Sequence, residues 1–317
     1  MYISVVVPVY NEEGMLEVFY PRISEVLATL DVDYEIMFVN DGSKDRSLEI
    51  MTDLAAKDER VSFVNLSRNF GKEAAMSAGI DIAEGDAVII IDADLQDPPE
   101  LIPEMVSKWR EGYDTVYAKR QRRDKDTALK KWTAISFYKL IGSLSKFEIP
   151  QNTGDFRIIS RRSVLALRSL PESNRFMKGL FSWIGYKQIA VGYDREEREA
   201  GETKFNYWKL WNFALDGITG FTTLPLKLAS YVGGLLALCS FFYGLLIILK
   251  TLIYSDPVPG YPSIMVMILF LGGIQLMFLG ILGEYMGRMF DESKKRPLYL
   301  LDQVHHSSVA SNKVKSE

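Results

Sequence analysis

The chain has one cysteine, two histidines and no basic excess. Cys239 lies in an apolar run, so no intramolecular disulfide is possible, and we interpret it as a small buried apolar residue. The net charge of -4 lacks the basic excess that DNA- and RNA-binding domains usually show, so we expect no nucleic-acid partner. The first residues, MYISVVVPVYNEE, lack a basic leader, and their apolar core is too short for a signal peptide, which favours a first strand.

Two runs lack charge altogether. Residues 228–249 and 261–282 each contain 22 positions without a charged side chain. Since about 20 apolar residues cross the core of a bilayer, the pattern predicts two transmembrane helices, at about 228–249 and 261–283, within a segment 227–288.

Basic residues lie at the outer ends of these two runs. Lys227 precedes the first, Arg288 and three further basic residues follow the second, and the connecting loop carries an aspartate and Lys250 at its edge. Because positive residues stay on the cytoplasmic side, we expect a multi-pass protein of the inner (plasma) membrane with the catalytic domain and both termini in the cytoplasm. The tail, 289–317, is polar, and we expect it to be disordered after Pro297.

Up to residue 124, short β-branched runs alternate with longer amphipathic ones. This alternation indicates an α/β, Rossmann-like fold with a mostly parallel sheet covered on both faces. The predicted strands are YISVVVPV, YEIMFVN, VSFVNL, AVIIID and DTVYAK, and the predicted helices lie near 13–30, 45–57, 72–83 and 99–110. Ligands of such sheets bind at the carboxyl ends of the strands, where the polar stretches PVYNEEG, VNDGSKD and DADLQDPP occur.

Asp92 and Asp94 follow a fully apolar strand and are separated by one residue. Two carboxylates at such a point repel each other unless a divalent cation lies between them, and Mg²⁺ or Mn²⁺, completed by substrate phosphate oxygens, fits these ligands. The pair therefore predicts a site for a metal-bound diphosphate, with a solvated turn as the alternative. Asp41 ends the second strand and suits contact with a nucleobase or ribose, or else an N-cap or turn before Gly42.

From residue 125 to 226 the periodicity weakens, and aromatic and basic residues interleave. Two stretches, 130–147 and 203–221, have the composition of amphipathic helices in a membrane interface, with core helices of a soluble domain as the alternative. Their aromatic residues, expected at the level of the headgroups, are Trp132, Phe137, Tyr138, Tyr207, Trp208 and Trp211.

Six motifs occur in order: VVVPVYNEE, VNDGSKDRS, NFGKEAAMSAG, DADLQDPPE, NTGDFRIISR and REAGETKF. Together they resemble those of inverting, GT-A fold glycosyltransferases that load a sugar onto a polyprenyl phosphate, namely dolichol-phosphate mannose synthases and bacterial polyprenyl-phosphate glucosyltransferases. The resemblance covers nearly the whole chain. It implies a nucleotide-sugar-binding core at 1–124 and an acceptor-side part of the catalytic domain at 125–226. It also implies a nucleotide sugar, a membrane polyprenyl phosphate and Mg²⁺ or Mn²⁺; a homo-oligomer is compatible with it.

The resemblance further implies roles for particular residues. Those around the nucleotide are Pro8, Tyr10, Glu12, Asp41 and Asp92; those holding the metal and diphosphate are Asp92, Asp94 and Gln96; those meeting the lipid phosphate are Arg120, Arg122, Arg123, Arg198 and Lys204. Asp94 and Asp155 are the implied catalytic residues, with Asp155 at the position usually proposed as the base. A phosphate monoester has its second pKa at about 6 and is largely a dianion at neutral pH. We therefore expect Asp155 to orient the acceptor or a sugar hydroxyl and to stabilise the transition state.

The donor sugar is the least determined feature. We expect glucose from UDP-glucose, with GDP-mannose or a UDP-4-amino-4-deoxy-arabinose type of donor as alternatives. A processive polysaccharide synthase would carry a Gln-x-x-Arg-Trp motif and more spans, which the sequence lacks. Outside the enzymes, the alternative is a membrane-anchored protein that only binds a nucleotide sugar; such a protein would be expected to have lost some of the acidic or basic residues that this chain keeps.

Overall fold

The structure is a computed structural model that describes residues 1–121, 150, 153–172, 175–194, 224–254 and 260–309. The chain forms two compact units. One comprises Met1–Ala214 together with Arg296–Glu317, and the other comprises Leu215–Lys295.

The first unit is built on a sheet of eight strands in the order β7-β5-β6-β4-β1-β2-β3-β8. The strands are β1 (Tyr2–Val9), β2 (Asp33–Asn40), β3 (Val61–Leu66), β4 (Ala87–Ile90), β5 (Thr115–Arg120), β6 (Thr153–Ser160), β7 (Gln188–Tyr193) and β8 (Leu301–His305). Four neighbouring pairs are parallel, β1 with β2, β1 with β4, β2 with β3 and β5 with β7, and the other three are antiparallel. The predicted mostly parallel sheet is confirmed.

Six helices lie between the strands of the sheet, and the first four of them are the helices that the apolar periodicity predicts. They are α1 (Glu13–Ala28), α2 (Ser47–Lys57), α3 (Lys72–Ile82), α4 (Ile102–Arg110, preceded by a 3-10 turn at Pro99–Leu101), α5 (Arg161–Arg168) and α6 (Met177–Trp183). α3 packs closely on β1, because a Cβ added at Gly79 would lie 2.3 Å from a methyl carbon of Val6. Since α3 follows β3 in the chain, its first residue, Lys72, lies at the edge of the sheet where β3 ends.

The strand order reverses beside β1, because the chain runs from β1 to β2 and β3 on one side and returns to β4 on the other. In open α/β sheets the crevice at such a reversal is where ligands bind. β6 runs antiparallel to β4, with Ile90 opposite Arg157, so the start of β6 lies beside the end of β4. Residues just before Arg157 therefore lie at the same edge of the sheet as Asp92.

The structure of the C-terminal tail differs from the predicted disorder. The segment after Pro297 is not disordered up to His305, because Leu301–His305 forms β8, antiparallel to β3. The strand has exposed polar side chains and pairs through its backbone with the edge of the sheet. Beyond it, Ser307 is 1% exposed, and its hydroxyl donates to Glu35 Oε2 at 3.2 Å. The tail thus completes one edge of the first unit.

The second unit contains α7 (Leu224–Tyr254) and α8 (Tyr261–Ser293), which include both predicted apolar runs. Each is long and apolar enough to cross a membrane, over Leu226–Ile247 and Phe270–Ser293 respectively, and the apolar window in each is 0% buried. Both predicted interfacial helices, at 130–147 and 203–221, lie outside the described residues, and so do the six aromatic residues assigned to them.

Candidate functional site

The loops that follow β1 and β2 are joined by hydrogen bonds. The N–H of Asn11 donates to Ser43 Oγ at 2.9 Å, the N–H of Lys44 donates to Asn11 Oδ1 at 2.8 Å, and the N–H of Glu12 donates to Ser47 Oγ at 3.0 Å. Asn11 has a φ of +53°, a left-handed conformation that asparagine tolerates better than most residues. The two loops therefore form one connected surface at the carboxyl ends of β1 and β2.

Three residues predicted to surround a nucleotide lie along this surface. Pro8 belongs to β1, Tyr10 follows that strand with 39% of its side chain exposed, and Glu12 directly precedes α1. Asp41 joins them, because its N–H donates to the carbonyl of Val9 at 2.9 Å. The structure thus brings Pro8, Tyr10, Glu12 and Asp41 together at the edge of the sheet where β1 and β2 end.

Asp41 has a structural role on this rim. It is 3% exposed, and its carboxylate accepts hydrogen bonds from the N–H groups of Phe70 at 2.7 Å and Gly71 at 2.9 Å. Burial raises the pKa of Asp41, although these two hydrogen bonds oppose the shift. α2 begins at Ser47, so Asp41 is not the N-cap of that helix.

The residue after Asp41 must be glycine. Gly42 has a φ of +63°, and a Cβ there would lie 2.4 Å from the carbonyl carbon of Arg68. The loop after β3 therefore passes directly against the loop after β2. Asp41 and Gly42 together determine where α3 begins.

Lys72, the first residue of α3, connects two of the predicted acids. Its Nζ lies 2.7 Å from the carboxylate of Asp92 and 2.5 Å from Oδ2 of Asp155. Asp92 follows β4 and Asp155 belongs to β6, so three separate segments meet at one ammonium group. The side chains are 44% exposed for Lys72, 26% for Asp92 and 11% for Asp155, which leaves the cluster open to a ligand.

The pKa values of the acids in this cluster shift in different directions. Burial raises the pKa of Asp92, Lys72 opposes this effect, and the net shift is upward. Burial also acts to raise the pKa of Asp155, but Lys72 and Lys178 outweigh it, and the net shift is downward. Burial and the neighbouring Asp155 raise the pKa of Glu73 to about 7. The net pKa shifts in the cluster therefore run downward for Asp155 and upward for Asp92 and Glu73.

A buried cation, Arg157, lies two residues from Asp155 in β6. Arg157 is 4% exposed, donates to the carbonyls of Asp155 and Gly154, and stacks 3.8 Å from the ring centre of Phe181. Burial lowers its pKa to about 10. These hydrogen bonds lie within β6, next to Asp155, and the contact with Phe181 connects the strand to α6.

The loop after β4 presents the predicted metal-binding residues. Leu95, between Asp94 and Gln96, has a φ of +53°, which is uncommon for a bulky side chain and costs free energy. Oδ1 of Asp94 accepts the N–H of Gln96 at 3.3 Å. Oε1 of Gln96 is buried and has no hydrogen-bond partner within the described part of the chain. The strained turn thus leaves a buried oxygen available beside two carboxylates.

These oxygen atoms suit a hard divalent cation such as Mg²⁺ or Mn²⁺. Oδ1 of Asp155 is likewise buried without a hydrogen-bond partner among residues 1–121, 153–172 and 175–194 and the other described segments. No group of three or more His, Cys, Asp or Glu side chains able to hold a metal ion occurs among the described residues. A cation here would therefore need further oxygen ligands from a bound diphosphate, as Mg²⁺ commonly does.

Arg120 lies in a cluster that the sequence did not reveal. Its Nε donates to the hydroxyl of Tyr193 at 3.1 Å, the Tyr193 hydroxyl donates to Asp97, and the Arg120 guanidinium lies 3.9 Å from the Asp97 carboxylate. These contacts join β5, β7 and the loop after β4. The guanidinium predicted to meet a lipid phosphate is thus tied to the loop that carries Asp94 and Gln96.

Two family descriptions match the chain: Glycosyl transferase family 2 over residues 4–167, and the GtrB C-terminal hairpin over residues 224–289. An uncharacterized glycosyltransferase of Synechocystis is 57% identical over 302 residues, 95% of each chain. A prophage-derived bactoprenol glucosyl transferase of Shigella flexneri is 50% identical over 308 residues, 97% of this chain and 100% of that one. A prophage bactoprenol glucosyl transferase homolog of Escherichia coli is 51% identical over 304 residues, 96% of this chain and 99% of that one.

The chain belongs to glycosyl transferase family 2. This membership confirms the resemblance drawn from the six motifs and, with the mostly parallel sheet, the predicted GT-A fold. The second matched description covers both apolar helices, α7 and α8.

Four of the residues predicted to bind the lipid phosphate lie outside the described residues of this family 2 glycosyltransferase. They are Arg122, Arg123, Arg198 and Lys204. The residues that sequence reasoning did not assign to the site are Lys72, Glu73, Asp97, Arg157 and Tyr193. Lys72, Glu73, Asp97 and Arg157 lie within quoted motifs, whereas Tyr193 follows no motif and is found only through the pairing of β5 with β7.

Proposed function

We propose that this glycosyltransferase moves glucose from UDP-glucose to a membrane polyprenyl phosphate with inversion, giving polyprenyl-phosphate-glucose and UDP. The observation that carries the proposal is the full-length similarity, helices included, to relatives called bactoprenol glucosyl transferase. The convergence of Lys72, Asp92 and Asp155 at the carboxyl edge of the sheet supports the position of the site.

On the donor side, Pro8, Tyr10, Glu12 and Asp41 surround the nucleotide, and Asp92, Asp94 and Gln96 hold the diphosphate and Mg²⁺ or Mn²⁺. A bound divalent cation would neutralise the negative charge that grows on the leaving nucleotide. The buried, unpartnered Oε1 of Gln96 supports this assignment. Since the Asp41 carboxylate is occupied by two backbone N–H groups, it orders the loop before α3 in addition to any contact with the nucleotide.

Asp155 orients the reacting groups rather than removing a proton. The acceptor phosphate is largely a dianion at neutral pH, and Lys72 at 2.5 Å keeps Asp155 in its ionised form. Its second carboxylate oxygen, Oδ1, is buried without a partner within the described residues and is available to a sugar hydroxyl. Fixed charges of this kind stabilise positive charge that develops at the anomeric carbon.

On the acceptor side, the lipid phosphate is bound by Arg120, Arg122, Arg123, Arg198 and Lys204. The hydrogen bond from Arg120 to Tyr193 fixes the direction of the guanidinium, which reduces the ordering cost of binding a phosphate. Attack of the phosphate oxygen on the anomeric carbon breaks the bond to UDP in one displacement. An α-linked donor therefore gives a β-linked lipid product.

The helices α7 and α8 cross the plasma membrane and leave both termini in the cytoplasm. β8 follows α8 in the chain and pairs with β3, so the tail and the sheet lie on the same side of any membrane. Two crossings, one by each helix, agree with this pairing. The basic residues outside the two runs place that side in the cytoplasm.

The test is a transfer assay with membranes that contain the protein. Radiolabelled UDP-glucose and Mg²⁺ should move label into the organic phase, whereas the Asp94→Asn protein should not. Label from GDP-mannose or from a UDP-4-amino-4-deoxy-arabinose type of donor, but not from UDP-glucose, would reassign the sugar. Label that stays aqueous with every donor would favour a protein that only binds nucleotide sugars.

A further inference from the structure

The motif NFGKEAAMSAG contains Lys72, whose contact with Asp92 has no part in the proposed roles. Lys72 directly follows Gly71, whose N–H is held by the Asp41 carboxylate at 2.9 Å. The next turns of α3 are buried, and Gly79 packs against Val6 of β1. The backbone of Lys72 is therefore anchored on both sides, and only its side chain is free to move.

The ammonium group occupies the space between two carboxylates that would otherwise repel each other. Asp92 and Asp155 each lie within 2.7 Å of Lys72 Nζ, at 2.7 Å and 2.5 Å. The nearby Arg157 does not bridge the two carboxylates, because the hydrogen bonds of its guanidinium within the described residues go to the backbone carbonyls of Asp155 and Gly154. Lys72 thus pairs directly with Asp92, which is assigned to the metal, and with Asp155, which is assigned to the acceptor side.

A lysine in this position competes with a divalent cation for Asp92. An ammonium on a flexible four-carbon stem can leave the carboxylates without any movement of α3, and 44% of the side chain is exposed. A free cation that enters must separate Lys72 from Asp92 and leave the ammonium without that partner. When the cation arrives bound to a diphosphate, the diphosphate oxygens become new anionic partners for the same ammonium group.

We propose that Lys72 is an internal counter-ion that holds Asp92 and Asp155 together before substrates bind, and that it makes binding of the divalent cation depend on the nucleotide diphosphate. This inference rests on the proposed function, since it concerns the same acids. It assigns Lys72 two successive partners, the carboxylates in the free enzyme and the donor diphosphate in the complex. The lysine is then a positioning residue for the site and a phosphate-binding residue in the loaded enzyme.

The experiment measures Mn²⁺ binding to the purified full-length protein by the loss of the free-ion electron paramagnetic resonance signal, with and without UDP. Removing a positive charge in contact with two carboxylates should tighten binding of Mn²⁺ alone on the order of tenfold in the Lys72→Met protein. The gain in Mn²⁺ affinity that UDP provides should shrink in the same protein. Lys72→Gln should behave in the same way and replaces Lys72→Met if that protein does not fold.

Two matched variants serve as controls. Lys72→Arg keeps the positive charge and should bind Mn²⁺ alone no more tightly than the unchanged protein. Lys108→Met removes a lysine that pairs with Glu111 at the end of α4, and it should leave both affinities unchanged. Thermal unfolding of each protein verifies that the fold is retained.

The outcomes separate this inference from the proposed function. If UDP promotes Mn²⁺ binding but Lys72→Met and Lys72→Gln leave binding of Mn²⁺ alone unchanged, the role of Lys72 is wrong and the metal site stands. Equal tightening in the Lys108→Met protein would also overturn the inference. If neither the unchanged protein nor the Lys72 variants bind Mn²⁺ even with UDP, both the inference and the proposed metal site are wrong.

Discussion

The contact between the C-terminal tail and the sheet makes a stability prediction that can be worked from the structure. Ser307 is 1% exposed, and its hydroxyl donates to the buried carboxylate of Glu35, which also accepts from Ser4 Oγ at 2.6 Å and Ser62 Oγ at 3.2 Å. Removing one partner of a buried hydrogen-bonded group costs about 1–3 kcal/mol. The substitution Ser307→Ala removes this hydrogen bond and leaves those from Ser4 and Ser62 in place, so we expect a loss of about 2 kcal/mol.

Hydrogen–deuterium exchange measures where this loss acts. If the bond secures the tail, the amides of 301–305 in Ser307→Ala should exchange roughly thirtyfold faster, because about 2 kcal/mol less free energy opposes local opening of β8. Ser308→Ala is the matched control, since Ser308 is exposed and is held through its backbone N–H to the carbonyl of Glu59. Unchanged exchange of β8 in Ser307→Ala, or equal acceleration in Ser308→Ala, would refute the reasoning.

Three further predictions concern the fold and the site. Gly42→Ala should lower the free energy of unfolding by about 2 kcal/mol or more in urea titrations, because of the left-handed φ and the clash with Arg68. Asp155→Asn should reduce turnover by about a hundredfold or more, without recovery as the assay pH is raised past the second pKa of the phosphate. Asp58→Asn should remove a part of the stability that depends on acid pH. Burial raises the pKa of Asp58, but contacts with Arg60 and Tyr20 outweigh it and lower this pKa to about 2. The ionised carboxylate therefore stabilises the fold above the ordinary pKa of 3.8, and this stabilisation is lost as the pH falls towards 2.

Each of these has a control or an opposing outcome. Gly14→Ala, in a helix with no atom within 4 Å of the added Cβ, should not destabilise the protein, and equal losses at Gly14 and Gly42 would show that the clash is unimportant. Recovery of Asp155→Asn turnover at high pH would favour a true base. For Asp58, identical acid unfolding profiles of the two proteins would contradict the role of its ion pair with Arg60.

The sheet could be predicted from sequence where its strands are buried on both faces. β1 is almost entirely apolar, and its predicted bounds agree with the structure at all eight residues. β8 was not predicted because Leu301–His305 is short and mostly exposed, and it becomes a strand by pairing with β3. No local pattern records such a pairing.

The site residues that lie just after the ends of strands could be predicted from the sequence. Asp41 and Asp92 come directly after β2 and near the end of β4, so the topology rule alone brings them to one edge of the sheet. Lys72 lies in one of the six motifs, but nothing in the local sequence indicates that its side chain pairs with two acids distant in the chain. Only the antiparallel placement of β6 beside β4 brings Asp155 within reach of the same ammonium group.

The most direct test of the central claim is the structure of the lipid product. Purified full-length protein in vesicles containing a polyprenyl phosphate, supplied with UDP-glucose and Mn²⁺, should yield one glucosyl phosphate lipid whose anomeric linkage, measured by nuclear magnetic resonance, is β. An α-linked lipid, or no glucolipid at all from a folded protein that binds UDP, would contradict transfer by a single inverting displacement at this site.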